Sequence, residues 1–353
     1  RIGVYCGLPA DTYFTDISNV LTDVTPTLTK DIVSDATKIM KDYMKLHPEA
    51  TRSQLVDASW LATIYSGLRD DKSHSSMTIP MYFANVLKKI GIEDNVGIGV
   101  TNSRNDVPVT SIISWKEPDY IGAVGDTCYI VTGNLTLLPG ELPGVYNGEQ
   151  AAIFKCNDED YNKQQATLIT IPATRSSDNS VTSTVEVSLN EDDNNILNLS
   201  RSMKMKGATK TIVSAMVDYN AWMRAVENYL EIPEKKRAKL KVDSVEVKKR
   251  LDEVFEQEAE VILGVKPATI HSYNITSIGG TPDQPTVDYN MTCEVEGLVK
   301  RAGDDIVISL GRLIGDQYKV EGEERNRQSH IFRSSPNQYR HTITFTIPEG
   351  YTV

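Results

Sequence analysis

Nucleophilic chemistry at an amide needs a thiol or hydroxyl, a base to take its proton, and a group that orients the base. This chain scatters the side chains that could fill those roles. Its cysteines are Cys6, Cys128, Cys156 and Cys293, and no two form a CxxC pair. Zinc-site spacing is therefore absent. The cysteines read as unpaired, mostly buried thiols, with one disulfide left open by the sequence. The histidines, His47, His74, His271, His330 and His341, are equally dispersed, and no HExxH occurs. The acidic stretches Asp70-Asp71, Asp158-Glu159-Asp160 and Glu191-Asp192-Asp193 lack the regular oxygen-ligand spacing and turn glycine of a calcium loop. No metal site and no cofactor is expected.

Charge narrows the partners. The 353 residues carry a formal charge of −11, which opposes binding to a phosphate backbone or to an anionic membrane surface. No apolar run approaches the ~18 residues of a membrane span, so no transmembrane segment is expected. The basic run Glu234 to Lys241, with five Lys or Arg, reads as a solvated helix face. The chain starts at Arg1, which reads as a processed or trimmed beginning.

Helices come first among the elements that would position a site. Ile32, Ala36, Ile39, Met40, Tyr43 and Met44 recur at three- and four-residue spacing and predict a helix from Thr29 to His47-Pro48. A second helix opens at Thr51, where Thr51 and Gln54 fit a capping box; Leu55, Ala58, Leu61 and Ala62 form its apolar stripe. A third runs from about Met77 to Ile90, with Ile79, Phe83, Val86, Leu87 and Ile90 inward, Pro80 in the first turn and Gly91 as the stop.

Strand-like runs follow at Val96 to Val100, Val107 to Ile113 and Thr127 to Val131, before a Gly- and Pro-rich loop from Leu138 to Gln150. Helices followed by antiparallel-type strands predict an α+β domain over residues 1–155. Residues 156–353 read as a β-rich, sandwich-like domain. Its strands are expected at Thr167 to Ile171, Val181 to Leu189, Ile270 to Ile275, Thr286 to Val299, Ile306 to Leu310 and His341 to Ile347. A helical insertion is expected at about 207–264, as helices Gly207 to Leu230 and Val245 to Leu263, the latter closed by Gly264.

Three stretches carry a resemblance. Ser76 to Ile90 followed by Gly91-Ile92 resembles the nucleophile helix of transglutaminase-like domains, members of the papain-like cysteine enzyme superfamily. Within Tyr129 to Gln150, Pro139-Gly140-Glu141-Leu142-Pro143 and Asn147-Gly148-Glu149-Gln150-Ala151 resemble a loop of bacterial members. Arg340 to Val353 resembles a recurrent strand near the end of those proteins. The resemblance implies a transglutaminase-like core of helices packed on an antiparallel sheet, then a C-terminal domain of unknown function. It implies a secreted protein of a Gram-negative bacterium, in the periplasm or at the cell surface, whose usual N-terminal β-rich domain is missing from this chain.

Family members place a Cys at a helix N-terminus, where the helix end favours the thiolate, then a His and an Asp on successive strands. The matching positions here are Ser76, Ser111 and Val131. No His lies between Val96 and Tyr146, so no base serves Ser76; His74 is the nearest candidate, and it sits in a polar loop. The resemblance thus implies a degenerate triad and a pseudoenzyme. A retained cleft would take a peptide, protein or glycan, with His74, Trp60, Tyr82 and Trp115 as candidate lining residues, although core packing is the commoner fate of the three aromatic residues. Two other readings stand beside this one. The chain could be an active cysteine acyltransferase or peptidase whose nucleophile lies elsewhere. It could also be a structural or adhesion protein of unrelated fold.

Overall fold

A computed structural model describes residues 30–69, 78–102, 109, 119–131, 134–156, 166–240, 243–315, 322–326, 328 and 335–352. They form a mixed α+β protein with antiparallel sheets and several helices. The chain divides into two compact units. The first gathers Arg1–Thr174, Tyr219–Leu240 and Gly280–Asp283; the second gathers Arg175–Asp218, Lys241–Gly279 and Gln284–Val353.

In the first unit, helix α1 (Lys30–Leu46) buries Ile32, Ala36, Met40 and Tyr43, the predicted face, and leaves Ile39 and Met44 half-buried. Helix α2 (Arg52–Leu68) begins as expected. Thr51 Oγ1 accepts from Gln54 N–H at 3.4 Å, and Gln54 Oε1 accepts from Thr51 N–H at 2.9 Å. From Val56 to Gly67 the helix is buried on nearly every side, as a helix central to its unit must be. Helix α3 (Thr78–Lys89) carries Pro80 in its first turn, where a missing N–H costs nothing. It stops at Gly91, whose φ of 85° suits glycine.

Strands β1 (Val96–Thr101), β2 (Asp119–Val124), β3 (Thr127–Ile130), β4 (Gln150–Lys155) and β5 (Thr167–Thr170) build one antiparallel sheet in the order β3-β2-β1-β4-β5. Both faces of β1 are buried. Helix α3 lies on one face, and Gly122 makes the approach close: a Cβ there would stand 3.0 Å from Phe83 Cδ1. On the other face Ile121, Ala123, Cys128, Ala151 and Ile153 pack with Tyr146, Leu142 and Val145 of the loop that precedes β4. The predicted Val107 to Ile113 strand falls almost entirely outside the described residues; Val109 alone is described, and it is buried.

The second unit centres on β6 (Ser180–Leu189), β7 (Leu197–Lys206), β8 (Thr269–Ile278), β9 (Thr286–Val295) and, at the edge, β12 (Gln338–Phe345), in the order β12-β6-β7-β9-β8. Each neighbouring pair is antiparallel except β12 with β6, which is parallel. Buried residues alternate strictly along β6, β7 and β9. Helix α5 (Ser244–Leu263), capped by Asp243 and closed by Gly264 at φ 66°, lays Phe255, Ala259 and Leu263 on that apolar face. The expectation of a sandwich gives way to a helix-covered sheet among the described residues. Strands β10 (Val299–Ala302) and β11 (Asp305–Ile308) form only a two-stranded ribbon.

The segment read as a helical insertion is shared between the units. After a 3₁₀ stretch at Gly207–Met216, helix α4 (Tyr219–Tyr229) belongs to the first unit and α5 to the second.

Candidate functional site

The first unit holds a cavity of about 120 Å3. Trp60, Leu61, Ile64 and Leu68 of α2 form one wall, and Trp222 of α4 contributes a second indole. Ile79 of the first turn of α3, with Ile130 and Val131 at the end of β3, brings the helix start and the strand end to the same space. The loop Asn134 to Glu141 completes it.

The walls are held by aromatic packing. Trp60 meets Phe83 edge-on at 5.1 Å between ring centroids, and Tyr129 lies 5.5 Å from Trp60 and 5.0 Å from Phe83, within the range of favourable ring pairs. The loop is pinned at both ends. Thr136 N–H donates to Asn134 Oδ1 at 3.0 Å and Leu138 N–H to Glu141 Oε2 at 2.9 Å. Gly140, at φ 77°, sits so close to β3 that a Cβ would stand 2.9 Å from Thr127 Cγ2.

Of the residues expected at a degenerate triad, Val131 is half-buried and lines this cavity. Ser76 and Ser111 lie outside the described residues, as do His74 and Trp115. Trp60 is buried and lines the cavity. Tyr82 of α3 is buried but does not line the cavity; Thr78 hydrogen-bonds its phenol. Sequence reasoning missed Ile79 as a cavity residue, although it placed that side chain inward. It also missed Trp222, because no spacing rule links residue 222 to residue 60 across seven intervening strands.

The thiols in the described residues offer no activated nucleophile at Cys128 or Cys293. Both are buried and free. Burial pushes Cys128 up to about 11, with the Asp126 charge adding to it. Burial also pushes Cys293 up to about 11 against the opposing pull of Arg201. A nucleophilic cysteine needs the reverse shift. Cys6 lies outside the described residues, and Cys156 is half-buried at the end of β4.

One carboxyl beside the aromatic cluster is perturbed. Asp57 of α2 is pushed up to about 6 by burial, against a hydrogen bond from Tyr129. A second concavity of the first unit, about 320 Å3, has an apolar floor of Ile39, Leu230, Ile232 and Pro233. Its rim charges neutralise one another: Arg69 meets Asp35 at 2.9 Å and Lys236 meets Asp42 at 3.0 Å. Lys236 also holds Asp42 below the usual carboxylate range. Such a rim leaves little charge to recruit a ligand. Among the described residues no group of His, Cys, Asp or Glu is arranged to hold a metal ion, and no helix is long and apolar enough to cross a membrane.

Comparison with protein-family models, with curated proteins and with solved structures finds no match to this chain.

Proposed function

We propose that this chain is a non-catalytic, transglutaminase-like scaffold of the bacterial cell envelope, which holds a peptide segment by seating one apolar side chain in the cavity between α2, α3 and β3. The observation that carries the reading is the lining itself. Ile79 at the helix start and Val131 at the strand end face the same space as Trp60 and Trp222. In the family that the sequence resembles, the helix start and strand end supply the ionisable machinery; here the strand end carries Val131, and the first turn of the helix turns Ile79 to the cavity. The volume, about 120 Å3, suits one large side chain rather than a whole small molecule, because ligand pockets for the latter run to ~300–1,000 Å3. An apolar wall with few polar groups favours a peptide side chain over a glycan, whose hydroxyls would lose water without replacement.

The two indoles provide the assay. Short peptides bearing Leu, Ile or Phe are expected to change the tryptophan emission of the intact protein saturably, whereas Ser- or Glu-bearing counterparts leave it unchanged. Val131→Phe, which fills the cavity from its half-buried side, is expected to abolish the change. A thiol-reactive amide mimic is expected to leave the protein unlabelled. Rapid stoichiometric labelling of one cysteine, or no response to any apolar peptide, removes this reading.

A further inference from the structure

Three polar side chains on the helix-covered face of the second unit's sheet hold atoms that are buried and without hydrogen-bond partners. They are Ser183 Oγ on β6, Arg201 Nε on β7, and both ring nitrogens of His341 on β12. The ladder makes them neighbours. His341 stands directly opposite Ser183 across the parallel β12–β6 pair. Arg201 pairs with Val185 and Met203 with Ser183, so Arg201 and Ser183 share a face as diagonal neighbours. His341 therefore lies at the sheet edge on the same face as a buried guanidinium.

The surroundings offer an added proton nothing. From β7, Arg201 is 2 % exposed and positively charged. From α5, Glu258 is the one carboxylate at this spot among the described residues. Its oxygens are already taken by Arg201 Nη1 at 2.9 and 3.0 Å and by the Tyr289 phenol of β9 at 2.6 Å. From β6 comes only the neutral Ser183. The 3₁₀ turn Leu310–Ile314, in contact with β12, carries Arg312, whose guanidinium lies beside Gly264 at the end of α5. On β12 itself the Tyr339 ring stacks on His341 with centroids 6.3 Å apart, and Arg340 belongs to the opposite face. A charged imidazolium here would be desolvated, unpaired and next to a like charge.

We propose that β12 is an acid-releasable edge strand, with His341 as its trigger. At neutral pH the imidazole is neutral and the strand docks through its ladder to β6 and through half-buried Ile343 and Phe345. Burial and the Arg201 charge both hold His341 below its ordinary value. The docked strand thus binds fewer protons than the released one. Its docking stability is complete above the ordinary histidine range and falls as pH drops through and below 6.5. Release breaks one ladder, since β12 has a single neighbour among the described residues, and exposes Ile343 and Phe345. It leaves the β6 edge, ten residues from Ser180 to Leu189, open to pairing with another strand.

The test is amide hydrogen exchange on the intact chain at about pH 7.5 and about pH 5, corrected for intrinsic rates. Gln338–Phe345 is expected to lose protection at the lower pH, because the released strand takes up a proton that the docked strand disfavours. The β7–β9 pair is expected to keep its protection. In His341→Leu the strand is expected to stay protected at both values. Protection of β12 that ignores pH, or that is lost equally in His341→Leu, overturns the proposal. Should that variant fail to fold, an NMR titration of the His341 ring in the natural sequence decides instead: a midpoint below 6.5 is expected, and one at or above 6.5 overturns it.

Discussion

The Tyr129 phenol donates a 3.1 Å hydrogen bond to Asp57 Oδ1, joining strand β3 to helix α2 beside the Trp60–Phe83 pair. The bond favours the ionised carboxylate, yet burial wins and lifts Asp57 to about 6. A folded value above the ordinary 3.8 means the folded state holds the proton more tightly. Stability from this group is therefore full below 3.8 and is lost as pH rises through about 6. Asp57→Asn is expected to flatten that loss and to stabilise the first unit at neutral pH by on the order of 1 kcal/mol, partial exposure discounting the full shift. Chemical denaturation across pH 4 to 8 reads it; a variant less stable than the parent at neutral pH contradicts the account.

Glu227 on α4 is fully buried and held on three sides. The Tyr65 phenol donates to it at 2.8 Å, the Ala238 N–H at 2.7 Å, and Arg224 forms an ion pair with it. Glu227→Ala leaves the buried Tyr65 phenol without its acceptor and the Ala238 N–H with only its 3.2 Å bond to the Tyr65 oxygen, and is expected to cost roughly 3 kcal/mol. Tyr65→Phe removes the bond to Glu227 and the weaker one from Ala238 N–H, whose stronger bond to Glu227 stays, and is expected to cost ~1–2 kcal/mol. Equal costs would show that the carboxylate does not organise the network.

Arg201 and Glu258 form the matching buried pair in the second unit, with side chains 2 % and 7 % exposed. Glu258→Ala strands the guanidinium in an apolar core and is expected to cost ~3–5 kcal/mol. The double variant Arg201→Met, Glu258→Leu replaces the pair with packed aliphatics and is expected to recover most of that loss. A double variant as unstable as Glu258→Ala would mean that the pair itself, rather than the stranded charge, sets the cost.

Gly122 tests the seat of helix α3. Its absent Cβ would stand 3.0 Å from Phe83 Cδ1 and 3.8 Å from Pro80 Cβ. Gly122→Val is expected to lift the helix and cost about 1–3 kcal/mol, the range of overpacked cores. Gly125→Ala is the local comparison: its φ of 59° is strained but nothing lies within 4 Å. A fall for Gly122→Val no larger than for Gly125→Ala would place the helix further from the sheet.

Period and punctuation determined much of this protein in advance. The capping box at Thr51, the stops at Gly91 and Gly264, and the inward face of α3 follow from local sterics and unsatisfied backbone groups, which short stretches encode fully. The missed strands have physical reasons. In β7 the alternation Leu197, Leu199, Met203, Met205 is broken by Arg201 at an inward position, and a charge there reads as surface until Glu258 is known to lie above it. In β2, Gly122 looks like a breaker, but it is where Phe83 comes close. The sandwich expectation failed for a related reason: alternation reports that one sheet face is apolar, not whether a helix or another sheet covers it.

The sequence by itself established the absence of a histidine from Val96 to Tyr146 and of a CxxC pair, an HExxH and a calcium-loop spacing. Those are statements about residue types and need no coordinates. Only the tertiary structure brought Trp222 to Trp60, Val131 to Ile79 and His341 to Ser183. Those meetings depend on sheet order and chain return over long separations, and short-range periodicity does not encode them.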